Sequence, residues 1–339
     1  MADNSRVRLV INGFGRIGRA AFKIALEHEH IEVVAINDLG DIQDLAYLLR
    51  FDSVYGRYGQ SVAVREGRLV VGDTLVRVYQ EREPAKLPWG DLKIDVVIES
   101  TGVFTDAEEA RFHITAGARR VIISAPTESI EVPTVIAGVN EKALVGHDIV
   151  SNASCTTNCA APVVAVLDQA LGVEKALLTT VHAYTATQGL VDGPGGKSDA
   201  RRGRADAINI VPSSTGAAIA ATKSYPALKD KFDGVALRVP VSVVSMADVT
   251  LVTKKKTDME TINGIFKEAA VSPIYGDILA VTDEPVVSSD FIGDPHSAIV
   301  DLSLTRVVGG DLVKVMAWYD NEWGYSNRLV EQAAALAQA

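Results

Sequence analysis

The sequence predicts an α/β protein in two parts, an open, doubly wound parallel sheet followed by an α+β unit built on a mainly antiparallel sheet. Three observations lead there. The first 38 residues read strand, glycine turn, helix, strand. Short apolar runs ending in small residues recur up to about residue 152. Beyond Cys155 the texture changes to longer strand-like runs separated by turns. With 339 residues, 47% of them hydrophobic, the chain has material for two cores.

The first strand is Val7 to Ile11, followed by Asn12-Gly13-Phe14-Gly15-Arg16-Ile17-Gly18-Arg19, a helical run from Ala20 to Glu27 and a second strand from Ile31 to Ile36. Three glycines at this spacing are a weak signal by themselves. Here they follow a strand, open a helix and are succeeded by Asp38 at the tip of the next strand, which together make the fingerprint of a Rossmann-type dinucleotide-binding unit. Gly13 permits the tight turn, Gly15 lets a pyrophosphate approach the backbone, and Gly18 allows close helix–strand packing. A carboxylate at Asp38 accepts hydrogen bonds from the adenosine ribose and repels a 2′-phosphate. The stretch 61–78 alternates, with turns at Gly67 and Gly72-Asp73, and reads as an antiparallel excursion. Asp95 to Glu99 ends in Ser100-Thr101-Gly102, and Arg120 to Ile123 ends in Ser124-Ala125-Pro126, the small residues expected where strand ends line a crevice. The first domain is therefore expected to span residues 1–152.

The segment Ser151-Asn152-Ala153-Ser154-Cys155-Thr156-Thr157-Asn158-Cys159 sets a cysteine among small polar residues just ahead of an apolar run, Ala160 to Leu167. Asn152 and Ser154 are candidate helix caps, which places Cys155 in a first helical turn, where the dipole favours the thiolate. His182 ends the strand-like run Lys175 to Val181 and is the candidate base. Cys155 and Cys159 share one helix face, so two buried thiols or half of a metal site are the alternatives. With two Cys and six scattered His there is no second ligand pair, and no metal is expected. Cys159 is assigned to the core.

The runs Gly234 to Val244, Ala247 to Thr253, Ala298 to Val308 and Leu312 to Tyr319 predict the sheet of a second domain, residues 153–320. A glycine-rich basic loop, Gly193-Pro194-Gly195-Gly196-Lys197-Ser198-Asp199-Ala200-Arg201-Arg202-Gly203-Arg204, forms with Arg238 a local positive patch suited to a phosphorylated substrate. For Arg201 and Arg204 a solvated or intersubunit salt-bridge loop is the alternative. Overall the chain is acidic, 33 basic against 43 acidic residues for a net charge of −10, which argues against general binding to nucleic acid or a membrane surface. The opening residues lack an apolar signal region, two cysteines make no disulfide framework, and no apolar run approaches the ~20 residues of a membrane span. A soluble, cytoplasmic protein is expected.

Six segments carry a resemblance: Asn12 to Arg19, Ser151 to Cys159, His182 to Thr185, Asn209 to Gly216, Arg238-Val239-Pro240, and Trp318 to Arg328. Through them the chain resembles the phosphorylating, NAD-dependent glyceraldehyde-3-phosphate dehydrogenase family along essentially its whole length. The resemblance implies that Cys155 adds to the aldehyde of D-glyceraldehyde 3-phosphate while His182 activates the thiol and assists hydride departure to NAD. Inorganic phosphate then resolves the thioester to 1,3-bisphosphoglycerate, a reversible step of glycolysis and gluconeogenesis. It further implies that Ser154, Thr156, Thr215 and Gly216 cradle the attacking phosphate, and that Thr185, Arg238 and Arg202 hold the phosphate of the substrate. Arg16, Ile17, Asp38, Arg82, Ser124 and Asn321 would contact NAD, with Tyr325 nearby. A homotetramer is implied too, as is a C-terminal helix, about 321–339, that returns to the first domain. Departures from the family pattern are the glycine-rich loop 192–201 and Ile219, which stands where Lys is usual. An erythrose-4-phosphate dehydrogenase uses the same chemistry, and a non-catalytic NAD-binding regulatory protein is a third reading. The intact Thr215-Gly216 favours the phosphorylating triose enzyme, and retention of Cys155, His182, Thr185 and Arg238 together disfavours a mere binder.

Overall fold

The computed structural model describes residues 6–195 and 199–339, so Gly196, Lys197 and Ser198 of the basic loop lie outside the described residues. The chain forms two compact units. The first contains an eight-stranded sheet of β1 (Val7–Asn12), β2 (Ile31–Asn37), β3 (Val62–Arg65), β4 (Arg68–Val71), β5 (Thr74–Tyr79), β6 (Val96–Glu99), β7 (Arg120–Ile123) and β8 (Ile149–Ser151), in the order β8-β7-β6-β1-β2-β5-β4-β3. The six strands from β8 to β5 run parallel; β1, β2, β6, β7 and β8 are buried along nearly their whole length because both faces are covered, whereas β5, toward the edge, is largely exposed. Val10, Val34, Trp89 and Val97 pack in one buried cluster, and Ala110, Val121, Ile123 and Ile149 in another. The 61–78 excursion is antiparallel as far as β3, β4 and β5 pair with one another, but β5 also lies parallel to β2 and so extends the main sheet.

From β1 the chain moves to β2 on one side, and after β5 it crosses to β6 on the other. Strand order thus reverses at β1. In open α/β sheets such a reversal leaves a crevice at the carboxyl ends of the strands, and here the ends of β1, β2 and β6 open into it. Helix α1 (Arg16–Glu27) starts directly at the glycine turn, α2 (Ile42–Arg50) is capped by Asp41 accepting from the Gln43 amide, and α3 (Ala107–Thr115) by Asp106 accepting from the Glu109 amide.

The second unit comprises Ser154–Tyr325 together with Ile136–Glu141. This last excursion belongs there because Gly138 lies against the side chains of Tyr275 and Ile278. Its sheet also has eight strands: β9 (Val173–Ala183), β10 (Val211–Ser214), β11 (Phe232–Val239), β12 (Ser245–Thr253), β13 (Leu279–Thr282), β14 (Ala298–Asp301), β15 (Arg306–Val308) and β16 (Leu312–Tyr319). The order is β10-β11-β9-β12-β16-β14-β13, with β15 beside β16, and all pairs are antiparallel except β9 with β11 and β13 with β14.

Two predicted runs are shorter than expected. The one from Gly234 stops at Val239, since Pro240 has no N–H for the ladder and Val244 takes a left-handed φ of 67°. The one from Ala298 breaks after Asp301, whose carboxylate captures the Ser303 amide and hydroxyl and opens a 3₁₀ turn. Helix α4 (Cys155–Leu171) is longer than the predicted run and is buried on nearly every side, and α5 (Ala217–Ser224) packs beside it. α6 (Met259–Ala270) follows β12. α7 (Trp323–Leu336) starts in the second unit and from Ser326 onward belongs to the first, where Gln332 accepts from Asn152 Nδ2 at 2.6 Å and donates to the Val135 carbonyl.

Candidate active site

Ser154 is extended and caps α4, its hydroxyl oxygen accepting from the Thr157 amide at 3.2 Å. Cys155 is therefore the first helical residue, where amides have no intrahelical partner and the dipole is positive. Of the two candidate caps, Asn152 serves elsewhere, in its bond to Gln332. Cys155 is partly exposed, whereas Cys159 one turn on is buried, and burial pushes its thiol well above the ordinary value.

His182, near the end of β9, brings Nε2 to 3.4 Å from Cys155 Sγ. Its pKa is pushed down to about 3, first by burial and then by the charges of Arg238 and Arg202, against the pull of the Ala183 carbonyl. The Cys155 thiol is pushed up by burial, which outweighs the Arg238 guanidinium and the hydrogen bonds of Thr156. The dipole argument alone leads to a lowered thiol pKa, so burial reverses that expectation. At neutral pH the proton rests on sulfur and His182 is an unprotonated base.

Strand pairing explains the next neighbour. His182 and Arg238 are register partners in the parallel pair β9–β11. Arg238 Nη1 donates to the Ala183 carbonyl at 3.0 Å and lies 2.6 Å from His182 Nδ1, which is itself 2.7 Å from that carbonyl. Nδ1 cannot serve both partners. Donating to the carbonyl, it leaves Nε2 free to accept the thiol proton; accepting from Arg238, it puts the ring proton on Nε2 instead. Beneath the ring stands Tyr319, edge to face at 6.0 Å, with its hydroxyl bonded to Thr156 Oγ1 at 2.9 Å and Thr180 Oγ1 at 2.8 Å. Neither Tyr319 nor Thr180 was assigned a role from the sequence. The alternation of β16 could have marked Tyr319 as facing inward.

Several other predicted residues converge here. Thr157 Oγ1 donates to the Ala217 carbonyl at 3.4 Å, so the N-terminus of α4 with Ser154 meets that of α5, preceded by Thr215 and Gly216. Gly216 caps α5 without a side chain and a Cβ on it would meet no atom within 4 Å, while Thr215 Oγ1 accepts from the Ala217 amide. Two helix N-termini facing one another present amides to an anion. The Thr156 hydroxyl is turned instead to Tyr319. Thr185 follows β9 and its hydroxyl pairs with that of Thr187. Arg202 acts electrostatically on both His182 and Arg238. Arg201 and Arg204 pair with Asp199 and Asp192 of their own loop. Asn321 Oδ1 accepts from Ser245 Oγ at 3.0 Å, and Ser245 Oγ accepts from the Ala183 amide, which ties Asn321 to the end of β9. Tyr325 is buried, and Cys155 contributes to raising its pKa.

In the first unit, a cleft of about 350 Å³ at the strand reversal is lined by Gly13, Gly15, Asp38 and Arg82, with Asn12 and Thr101 among its other walls. Its glycines suit a dinucleotide. Gly13 has φ 91° and a Cβ there would stand 2.6 Å from the Thr101 amide; one on Gly18 would stand 2.0 Å from the Gly13 carbonyl. A Cβ on Gly15 would meet nothing within 4 Å, leaving room for a pyrophosphate beside the uncapped start of α1. Asp38 accepts from the Phe14 amide at 2.7 Å and from the Gly40 amide at 2.8 Å, so it also holds the glycine turn. Arg16, Ile17 and Ser124 do not line this cleft. Arg16 pairs with Asp52 at 2.6 Å, the Ile17 carbonyl accepts from Ser326, and the Ser124 amide donates to the Glu99 carbonyl. Among the described residues, no group of three or more His, Cys, Asp or Glu is placed to hold a metal ion.

Comparison with known proteins agrees with this geometry. The family description "Glyceraldehyde 3-phosphate dehydrogenase, NAD binding domain" matches residues 7–107, and "Glyceraldehyde 3-phosphate dehydrogenase, C-terminal domain" matches residues 154–321. The chain is 50% identical over 330 residues to glyceraldehyde-3-phosphate dehydrogenase 1 of Streptomyces avermitilis, covering 96% of this chain and 97% of that one. It is 50% identical over 341 residues to glyceraldehyde-3-phosphate dehydrogenase of Mycobacterium avium and 48% identical over 342 residues to that of Mycolicibacterium smegmatis, in each case covering 98% of this chain and 99% of the relative.

Proposed function

Because the chain belongs to the glyceraldehyde-3-phosphate dehydrogenase family, we propose that it oxidises D-glyceraldehyde 3-phosphate with NAD and inorganic phosphate to 1,3-bisphosphoglycerate. The observation that carries this reading is the Cys155–His182 contact of 3.4 Å at a helix N-terminus. Cys155 Sγ adds to the aldehyde carbon while His182 Nε2 takes the thiol proton and returns it to the new alkoxide, so that a neutral thiohemiacetal forms. The Cys155 amide, unpartnered within the helix, stabilises the oxyanion on the way, a contribution of about 2.7–4 kcal/mol where comparable donors have been removed. The substrate phosphate draws the Arg238 guanidinium toward itself with help from Thr185 and Arg202. His182 Nδ1–H is then left on the Ala183 carbonyl, the tautomer in which Nε2 can accept. In the first unit Gly13, Gly15, Asp38 and Arg82 would hold NAD around the turn that Gly18 packs closely, and NAD would supply the hydride acceptor. His182 removes the hydroxyl proton as hydride departs, leaving an acyl thioester on Cys155. Phosphate held by Ser154, Thr215 and Gly216 attacks the thioester carbon, and Cys155 leaves as thiolate.

NADH formation with glyceraldehyde 3-phosphate and NAD, with and without phosphate or arsenate, tests this. Sustained turnover only with the oxyanion is expected. Sustained turnover without it would mean that water resolves the thioester. No turnover would move the substrate to erythrose 4-phosphate or the role to NAD binding alone.

The assembly we propose is a homotetramer of a cytoplasmic enzyme. No helix among the described residues is long and apolar enough to cross a membrane. In the second unit, Leu177 (64% exposed) and Leu312 (43%) of the sheet and Ile219 (59%) of α5 line a groove of about 860 Å³ rimmed by Lys175, Lys229, Lys231 and Asp233, exposed apolar side chains that subunit contact would cover. Sedimentation should give four times the 36.1 kDa chain; a stable monomer would overturn the assembly.

A further inference from the structure

Beneath the glycine turn the first unit buries a carboxylate that the roles above do not use. Glu99 closes β6 with its side chain 1% exposed. One oxygen accepts from the Thr101 amide at 2.8 Å and from the Thr101 hydroxyl; the other accepts from Asn12 Nδ2 and lies 3.0 Å from His113 Nε2.

The direction of every bond in this cluster is fixed from its ends. Trp89 Nε1–H, which can only donate, is 3.0 Å from His113 Nδ1, so Nδ1 accepts and the ring proton sits on Nε2, pointing at Glu99. At the other end the Glu81 amide donates to Asn37 Oδ1 at 2.9 Å; Asn37 Nδ2 therefore donates to Asn12 Oδ1 at 2.6 Å, and Asn12 Nδ2 is left to donate to Glu99. The Val103 amide donates to Thr101 Oγ1, which sends the hydroxyl proton to Glu99 as well. Four donors converge on Glu99 and none can reverse, so its carboxyl oxygens are acceptors throughout.

Asn12, Asn37, Glu81 and Thr101 also line the cleft; Trp89 and His113 do not. We propose that Glu99, oriented from behind by Trp89 and His113, is a positioning residue for dinucleotide binding. It fixes Asn12 and Thr101, and between them the Gly13 turn that leads to Gly15 and the start of α1, where a pyrophosphate would lie. The proposal depends on that cleft being the dinucleotide site. Glu99→Gln sets an NH₂ against donors on one side or the other, and relief by turning Asn12 over breaks its bond to Asn37. His113→Phe removes the relay while filling the space, and His113→Gln can still accept from Trp89 and donate to Glu99.

NAD dissociation constants by calorimetry, melting temperatures, and the rate of Cys155 alkylation by iodoacetamide without NAD, measured on the full-length protein and these variants, test the role. Glu99→Gln and His113→Phe should weaken NAD by about tenfold or more, the loss expected when a buried hydrogen-bond partner is removed. Alkylation should stay near the parent rate and His113→Gln should bind NAD nearly as well as the parent. If His113→Phe lowers the melting temperature but binds NAD like the parent, or if His113→Gln and His113→Phe are equally impaired, the positioning role is wrong. Should Glu99→Gln fail to fold, the His113 pair decides. A parent protein that binds no NAD would instead overturn the reading of the cleft itself.

Discussion

Cys155→Ser is expected to lower kcat by at least about 10⁴-fold while leaving the NAD dissociation constant within about threefold of the parent, since removing a covalent nucleophile removes the route rather than one contact. The serine hydroxyl would occupy the same first helical position with the same partner at Nε2. It would not ionise there, because burial already pushes the more acidic thiol upward. Steady-state rates with glyceraldehyde 3-phosphate, paired with calorimetric NAD titration, check this. A variant retaining a tenth of parent activity would remove Cys155 from the chemistry.

His182→Asn should cost about 10²- to 10⁴-fold in kcat, the range associated with a positioned general base, and should slow Cys155 alkylation at neutral pH. The pH profile carries a second signature. With its folded pKa near 3, His182 is already an empty base at pH 5, so the parent's acid limb should lie well below the pH 6.5 of an ordinary imidazole. Stability follows the same shift. The unfolded chain binds a proton on this side chain below about pH 6.5, and the folded chain binds none until about pH 3, so the fold loses stability as pH falls through that window. The asparagine variant should lose less on acidification from pH 7 to pH 5 than the parent. Alkylation kinetics unchanged from the parent would show that the helix terminus alone activates the thiol.

What the sequence made legible was mostly local. A strand, a glycine turn and an acid at the next strand tip announce the dinucleotide unit within 38 residues, and a serine cap before an apolar run places Cys155 on the first turn of α4. What it hid was long-range pairing. Arg238 stands beside His182 because β9 and β11 are parallel neighbours in register, a relation that no spacing of 56 residues encodes. Tyr319 reaches Thr156 across 163 residues of chain, and the link from Glu99 to Asn12 spans 87. The thiol's upward shift was equally hidden, because helix position is written locally whereas burial is a property of everything packed around it. Arg16 and Thr156 show the converse. The family resemblance identifies them, but in the folded chain their side chains are turned to Asp52 and Tyr319.

The place of β9 in its sheet bears on how this enzyme could fail. The strand that carries His182 is laddered along both edges, to β11 from Ala176 to Ala183 and to β12 from Val173 to Val181. Its amides cannot reach solvent by fraying of a loop; they must wait for the ladder on either side to part. His182, one residue past the β12 ladder and paired with Arg238 on the other edge, is therefore expected to leave with the sheet rather than ahead of it. Warming would then silence the enzyme in the cooperative step that dismantles the sheet, with no earlier stage in which the fold persists and the base has drifted out of reach of the thiol.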